Sequence, residues 1–206
     1  MHGVDAPIHS WKDFFLHLAT ITIGILIALS LDGILEWSRH RSLVREAKES
    51  LNSEIRDNKN EIDGHARNQV NALKEHRNVL RYLTERMSHK NPTIHSLTIT
   101  SSLAQLSETG WDTAEATGAL AHMDYPEVKK YSSVYQLQRQ FERVQQRTLE
   151  NVIEATTPFA EDPGKLNDRE LGQAKQRVLS SLSSIQVESQ LAQQLGKAYA
   201  EALAKK

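Results

Sequence analysis

Residues Phe14 to Leu35 read FFLHLATITIGILIALSLDGIL, the longest apolar run in a chain of 206 residues. A helix needs about 20 mostly apolar residues to cross a hydrocarbon core of about 30 Å. This run supplies 35 − 14 + 1 = 22 and contains no Lys, Arg or Glu. Its strongly polar side chains, His17 and Asp32, lie near its two ends, where a polar group is least costly in lipid. Trp11 and Trp37 bracket it, 37 − 11 = 26 residues apart. That is about 39 Å of helix, close to the separation of the two headgroup zones in which Trp collects. The run is read as a transmembrane helix at 14–35 behind an N-terminal tail at 1–13, with the lipid bilayer as its first partner.

Two other readings fit the same residues. Ala28-Leu29-Ser30 has the small-x-small form of a signal-peptide cleavage site, although Asp5 and Asp13 accompany Lys12 and the run is long for a signal peptide. A buried core helix of a soluble domain is the other. On the membrane reading, Lys12 precedes the span and Arg39, Arg41, Arg45 and Lys48 follow it. The positive-inside rule then favours a cytoplasmic body. Trp11, Trp37, Arg39, Arg41 and Arg45 are the expected interface residues, and His40 stands among arginines able to meet anionic headgroups. Thr20, Gly24 and Ala28 form a small-xxx-small stripe, the expected helix contact of a homo-oligomer.

Composition narrows the rest. The net charge of −1 gives no field for nucleic acid. There is no Cys, so disulfides, thiolate zinc sites and a Cys nucleophile are excluded. With 9 Gly and 5 Pro and a body rich in Ala, Leu, Glu, Gln, Lys and Arg, the chain favours helix. An all-α protein is expected: the transmembrane helix continues into a long amphipathic helix of coiled-coil type at 36–90, and a helical bundle body at 91–206 packs on it. In the long helix Leu51, Ile55, Ile62, Ala66, Val70, Leu73, Leu80, Leu83 and Met87 recur at helical spacing, with Asn58 and His65 interrupting and Gly64 a site for a bend. Asn91-Pro92 ends it. Thr93 to Thr100 is β-branched and reads as briefly extended, without a partner strand. A short helix is expected over 101–108, broken at Thr109-Gly110. Another opens with Asp112 as cap and Glu115 three residues on and runs to Met123. Asp124-Tyr125-Pro126-Glu127 starts a long helix that stops near Thr157-Pro158. After a turn at Glu161-Asp162-Pro163-Gly164, Asn167 or Asp168 caps the last helix, which ends on Lys205 and Lys206, cations suited to its dipole.

Two blocks resemble a family of uncharacterised single-pass bacterial membrane proteins. One is Gly24-Ile25-Leu26-Ile27-Ala28-Leu29 followed by Asp32 and Trp37. The other is Trp111-Asp112-Thr113-Ala114 with Thr117-Gly118-Ala119-Leu120 and Tyr131 to Tyr135. In the family the Trp usually lies nearer the acidic or amide position than Trp37 does to Asp32. The resemblance implies a membrane anchor and a helical body, and it carries no activity.

Chemistry-bearing patterns are sparse. Nucleophile elbows, phosphate-cradling Gly loops and HExxH are absent from the sequence. His65 and His76 return to one helical face about 16 Å apart, too far to share a metal. Glu108, Asp112, Glu115 and His122 have ligand-like spacing, but Gly110 lies among them and they read more simply as two capping acids and a solvated His. Ser180 to Ser184 reads as a polar helix face. Trp111, Met123, Tyr125, Tyr131 and Tyr135 gather aromatics, either as core or as the lining of a ligand pocket. The function expected from sequence is a non-catalytic membrane-anchored oligomerisation or partner-binding module, without cofactor. The alternative is a sensor-like bundle binding a small ligand near Trp111 and the Tyr125–Tyr135 cluster.

Overall fold

The computed structural model describes residues 11–94, 96–160 and 162–204. Most of the expected tail, Glu161 of the expected turn and the terminal pair Lys205 and Lys206 lie outside them. The protein is all-α, with no strand among the described residues. Helix α1 runs Trp11–Met87, α2 Thr109–Ala116, α3 Tyr125–Thr156 and α4 Asp168–Leu203. The chain divides into two compact units, Met1–Glu46 and Ala47–Lys206, and α1 crosses the division.

In the first unit α1 is long and apolar enough to cross a membrane, and none of its apolar window is buried. Its hydroxyls are turned inward. Thr20, Thr22 and Ser30 each donate to the carbonyl four residues back, at 2.9, 2.8 and 2.6 Å. Such bonds hide the hydroxyl proton from a solvent that cannot accept it.

The second unit is built on α1 from Ala47 onward, α3 and α4. Buried positions on α1 recur in alternating steps of four and three from Leu51 to Leu83. The same rhythm runs from Tyr131 to Ala155 on α3 and from Leu171 to Ala202 on α4. A seven-residue repeat keeps one seam of each helix facing the bundle axis over its whole length. The seam on α1 differs from the expected apolar stripe. Asn58, His65, Gln69 and His76 are inside it, while Val70 is 66% exposed. On α3, Ile153 likewise faces out. Helix α1 passes Gly64 without a break.

Helix α1 ends through its own backbone before Asn91-Pro92 is reached. His89 N–H bonds Arg86 O and Lys90 N–H bonds Glu85 O, the pair of bonds of a Schellman closure. His89 takes the left-handed position at φ 55°, where glycine is the usual residue.

The largest departure from expectation follows. Residues 101–108 are not helical. They belong to an extended strap, residues 91–94 and 96–108, that returns along α1 from its Met87 end. Inward and outward residues alternate as in a strand, with Ser102, Ala104, Leu106 and Glu108 facing in. Thr109-Gly110 then opens α2 instead of ending a helix, with Glu108 at the cap and Asp112 inside the first turn. The backbone runs close to α1 at Gly110: a Cβ would stand 3.1 Å from Glu54 Oε1 and 3.2 Å from Ser50 Oγ, and those two side chains would have to give by a few tenths of an ångström. Helix α2 stops at Ala116, Gly118 turns the chain at φ 74°, and a 3-10 turn at Ala119–His122 leads to α3. Pro126 sits in the first turn of α3, where its missing N–H is harmless. Asn167 caps α4 in a reciprocal box with Glu170, as its sequence suggests.

An extended segment among helices has no ladder for its amides, and unpaired buried amides are costly. Here side chains supply the ladder. Asn58 accepts from Ser107 N–H at 2.9 Å and donates to Ser107 O at 2.7 Å. From α3, Gln145 does the same for Ala104, at 2.7 and 3.1 Å. Carboxylates on α1 take further N–H groups: Glu85 that of Thr93, Glu75 that of Thr100, Glu61 that of Gln105 and Glu54 that of Gly110. Thr93 N–H pulls the exposed Glu85 carboxyl below its ordinary pKa. From Thr93 to Gly110 the chain reaches about 56 Å fully extended, against about 47 Å of helix between Glu54 and Glu85, so it has little slack.

Because Gln145 serves both polar groups of Ala104, Gln145→Ala should destabilise the body by about 2–4 kcal/mol in urea unfolding of the full chain in detergent. Gln145→Glu keeps the acceptor and loses the donor. Its deficit should shrink as the pH is lowered far enough to protonate the new carboxyl.

Candidate functional site

The seam that should be apolar carries a ladder of polar pairs, and these are the residues with chemical potential. Nearest Ala47, Tyr131 donates to Asn52 at 3.1 Å and Tyr135 donates to Glu54 at 2.7 Å. Glu54 also accepts from Ser107 Oγ at 2.6 Å. One layer on, Gln138 Oε1 accepts from Asn58 at 3.1 Å and from Tyr199 at 2.7 Å, while its Nε2 donates to Ser107 O at 3.1 Å. Then His65 Nε2 meets Glu188 Oε1 at 2.8 Å, both side chains essentially inaccessible, with the ring edge-on to Phe141. The strap reaches the same layer through Ser102 Oγ, 3.3 Å from His65 Nδ1. Further along, His76 Nδ1 lies 2.8 Å from Ala72 O and its Nε2 lies 2.9 Å from Ser181 Oγ. A carbonyl only accepts, so Nδ1 carries the proton and neutral Nε2 accepts from the Ser181 hydroxyl. Beyond it the core turns apolar, with Val79, Tyr82 and Leu83 against Ala155, Leu171, Ala174 and Val178.

Burial sets the ionisation of this ladder. It pushes the Tyr135 phenol far above its ordinary range, helped by the Glu54 carboxylate that it serves. Tyr199 and Tyr131 move the same way, each mainly by burial. All three phenols therefore stay donors. Burial lowers His76 and keeps it neutral, outweighing the Ala72 carbonyl and the Glu75 charge.

The ladder does register chemistry. Sliding α4 by one heptad would set Leu195 or Ser181 opposite His65 and bury the Glu188 carboxylate opposite Ala72 or Asn58. Opposite Ala72 the buried Glu188 carboxyl would have no donor, and opposite Asn58 it would compete with Gln138 for the Asn58 amide, so the pairs select one alignment of the helices.

The sequence-predicted residues divide as follows. Trp111 stacks on Tyr135 at 5.4 Å between ring centroids, Tyr131 and Met123 are buried, and Tyr125 stands apart, 77% exposed. A cavity of about 350 Å³ opens beside this group, lined by Ser50, Glu54, Asp57, Asn58, Ser107 and Thr109 among others. It shares Glu54 with Tyr135. Glu108 is engaged by Arg139 at 3.0 Å, and among the described residues no three His, Asp or Glu side chains gather as metal ligands would. In the first unit Trp11 packs with Phe14 and Phe15, and Trp37 lies under the Arg41 guanidinium at 5.3 Å. Arg39, Arg41 and Arg45 are exposed, as are Thr20, Gly24 and Ala28, and a Cβ on Gly24 would meet nothing within 4 Å. Sequence reasoning passed over Gln138, Gln145 and Glu188, took Asn58 for an interruption and placed Ser181, which is buried, on a polar helix face. The seven-residue spacing that they share with Leu51, Tyr131 and Leu195 was the available clue. No family model, curated protein or solved structure matches this chain.

Glu188→Leu leaves His65 buried without its partner and should cost about 3–5 kcal/mol, whereas adding His65→Leu should recover much of that loss in a double-mutant cycle. The His76 shift gives a pH dependence. Its folded pKa is below the unfolded value of about 6.5, so the unfolded chain takes up the proton first as the pH falls. Stability is complete above about 6.5 and declines below it until the folded pKa is reached. Urea midpoints measured at pH 7.5 and 5.5 should therefore drop less in His76→Gln than in the unchanged protein.

Proposed function

We propose that this chain is a non-catalytic, single-pass membrane protein whose helical body serves as an oligomerisation or partner-binding module. The observation that carries the reading is the fully exposed apolar length of α1, whose hydroxyls are already bonded to their own backbone. Exposed apolar surface on that scale needs a cover, and lipid suits a helix with no unsatisfied hydroxyl. The bacterial inner membrane is the proposed site. The excess of Lys and Arg after the span, compared with Lys12 before it, favours a cytoplasmic body. The regular heptad seams of α1, α3 and α4 are of coiled-coil type and hold the body together from within. Thr20, Gly24 and Ala28 are the proposed contact between copies.

A second reading, a sensor-like bundle, draws on the polar cavity beside Trp111 and Tyr135. Its volume is in the small-ligand range, and Glu54 joins it to the aromatic pair.

The main reading is tested by fractionation of cells making the full chain. The protein should remain in the membrane pellet after an alkaline carbonate wash, with Met1 or the next few residues at its N-terminus. Release by the wash, or a mature start near Ser30, would remove the anchor. Since the chain has no Cys, Thr20→Cys gives a background-free crosslink. Oxidation in membranes should yield a covalent dimer, reduced several-fold by Gly24→Leu.

A further inference from the structure

The first unit holds a cationic face that the anchor alone does not require. Arg41 lies over the Trp37 ring at 5.3 Å, and Arg45 follows four residues on, bonded through Nη2 to Ser42 Oγ at 3.2 Å. At about 100° per residue, Arg41 and Arg45 lie about 40° and 80° from Trp37 around the helix. On the same scale Arg39 is about 200° away, and Glu36 and Glu46 stand at about 260° and 180°. One side therefore carries an indole and two guanidinium groups; Glu36 lies off it, Glu46 reaches Arg45 only through the shared Ser42 hydroxyl, and Glu49 follows beyond Arg45 at about 120° without pairing to it. Arg41 and Arg45 are exposed and have no carboxylate within ion-pair distance among the described residues. The next cation, Lys48, is committed to Glu127. This face begins two residues after the apolar run, at the depth where an indole and phosphate groups meet.

We infer that Trp37, Arg41 and Arg45 bind the phosphate of an acidic phospholipid headgroup. The inference rests on the membrane reading and adds to it the chemistry of the lipid. The planar guanidinium forks suit phosphate oxygens, and the indole holds the Arg41 fork flat at the interface. The arrangement discriminates by face, whereas a general attraction of cations to an anionic surface counts charges wherever they lie.

The test uses the full chain reconstituted in phosphatidylcholine vesicles with trace spin-labelled lipids. Labelled phosphatidylglycerol should be held over labelled phosphatidylcholine, and Arg41→Gln and Arg45→Gln should each lower the preference, by up to about five-fold in low salt. Arg39→Gln, with the same change in net charge, should leave it unaltered, and Arg41→Lys should fall between. Unchanged helicity by circular dichroism excludes unfolding as the cause. Equal retention of the two lipids overturns the inference, as does an Arg39→Gln effect equal to that of Arg41→Gln. Loss of the preference in millimolar inorganic phosphate, at constant ionic strength, would assign the face to a free anion and overturn the lipid assignment. If no labelled lipid at all is immobilised, the membrane reading fails and this inference falls with it, an outcome distinct from immobilisation without preference.

Discussion

An extended backbone that lies on helices must find hydrogen-bond partners one residue at a time. That constraint shapes the second unit. The return from the far end of α1 crosses a helical surface on which no strand exists to pair with it, so carboxamides and carboxylates take the role of a neighbouring strand. Asn58 and Gln145 are the fullest cases, each grasping the N–H and C=O of one residue. They come from different helices, so the strap is held by α1 and α3 together. Its alignment then places Glu108 and Gly110, and Gly110 in turn permits the close approach of α2 to Glu54 and Ser50.

The same economy of side chains explains the polar core. A seam of Leu and Ile would hold three helices in several registers with little to separate them. The His65–Glu188 contact and the Gln138 junction tolerate one alignment, because every displaced partner is a buried polar group without its complement. Buried apolar side chains supply adhesion along the whole body, from Leu51 and Ile55 through Phe141 and Leu195 to the cluster around Leu83 and Val178, and the polar layers between them supply specificity. Burial keeps His76 and the phenols of Tyr131, Tyr135 and Tyr199 uncharged, so near neutral pH the network does not depend on their ionisation.

Much of this was legible in the amino-acid order, because it depends on local chemistry. The 22-residue apolar run, the Asn167–Glu170 box, Pro126 in a first turn and the stop near Pro158 are all read from neighbours within a turn. What was hidden depends on residues far apart. Ser101 to Glu108 has helix-compatible composition, and distant side chains draw its backbone straight, above all Gln145 and Asn58, 41 and 49 residues away. Asn58 and His65 looked like interruptions because an apolar stripe was sought; they are members of a seven-residue repeat whose partners lie on α3 and α4. For the candidate site, the Trp111–Tyr135 pair was legible as an aromatic gathering, but Glu54, the group that links it to a cavity, had nothing local to mark it.

The two grips on the strap differ in when they become available. A growing polypeptide already contains Asn58 when Ser107 is made, so one clasp can close as soon as the strap folds back. Ala104 must wait 41 residues for Gln145. During that interval the returning segment is half-dressed, its amides served by water or by whatever else offers an acceptor. In any order of synthesis from the N-terminus, the clasp on Ala104 is therefore the later of the two to become possible, since it needs α3 as far as Gln145.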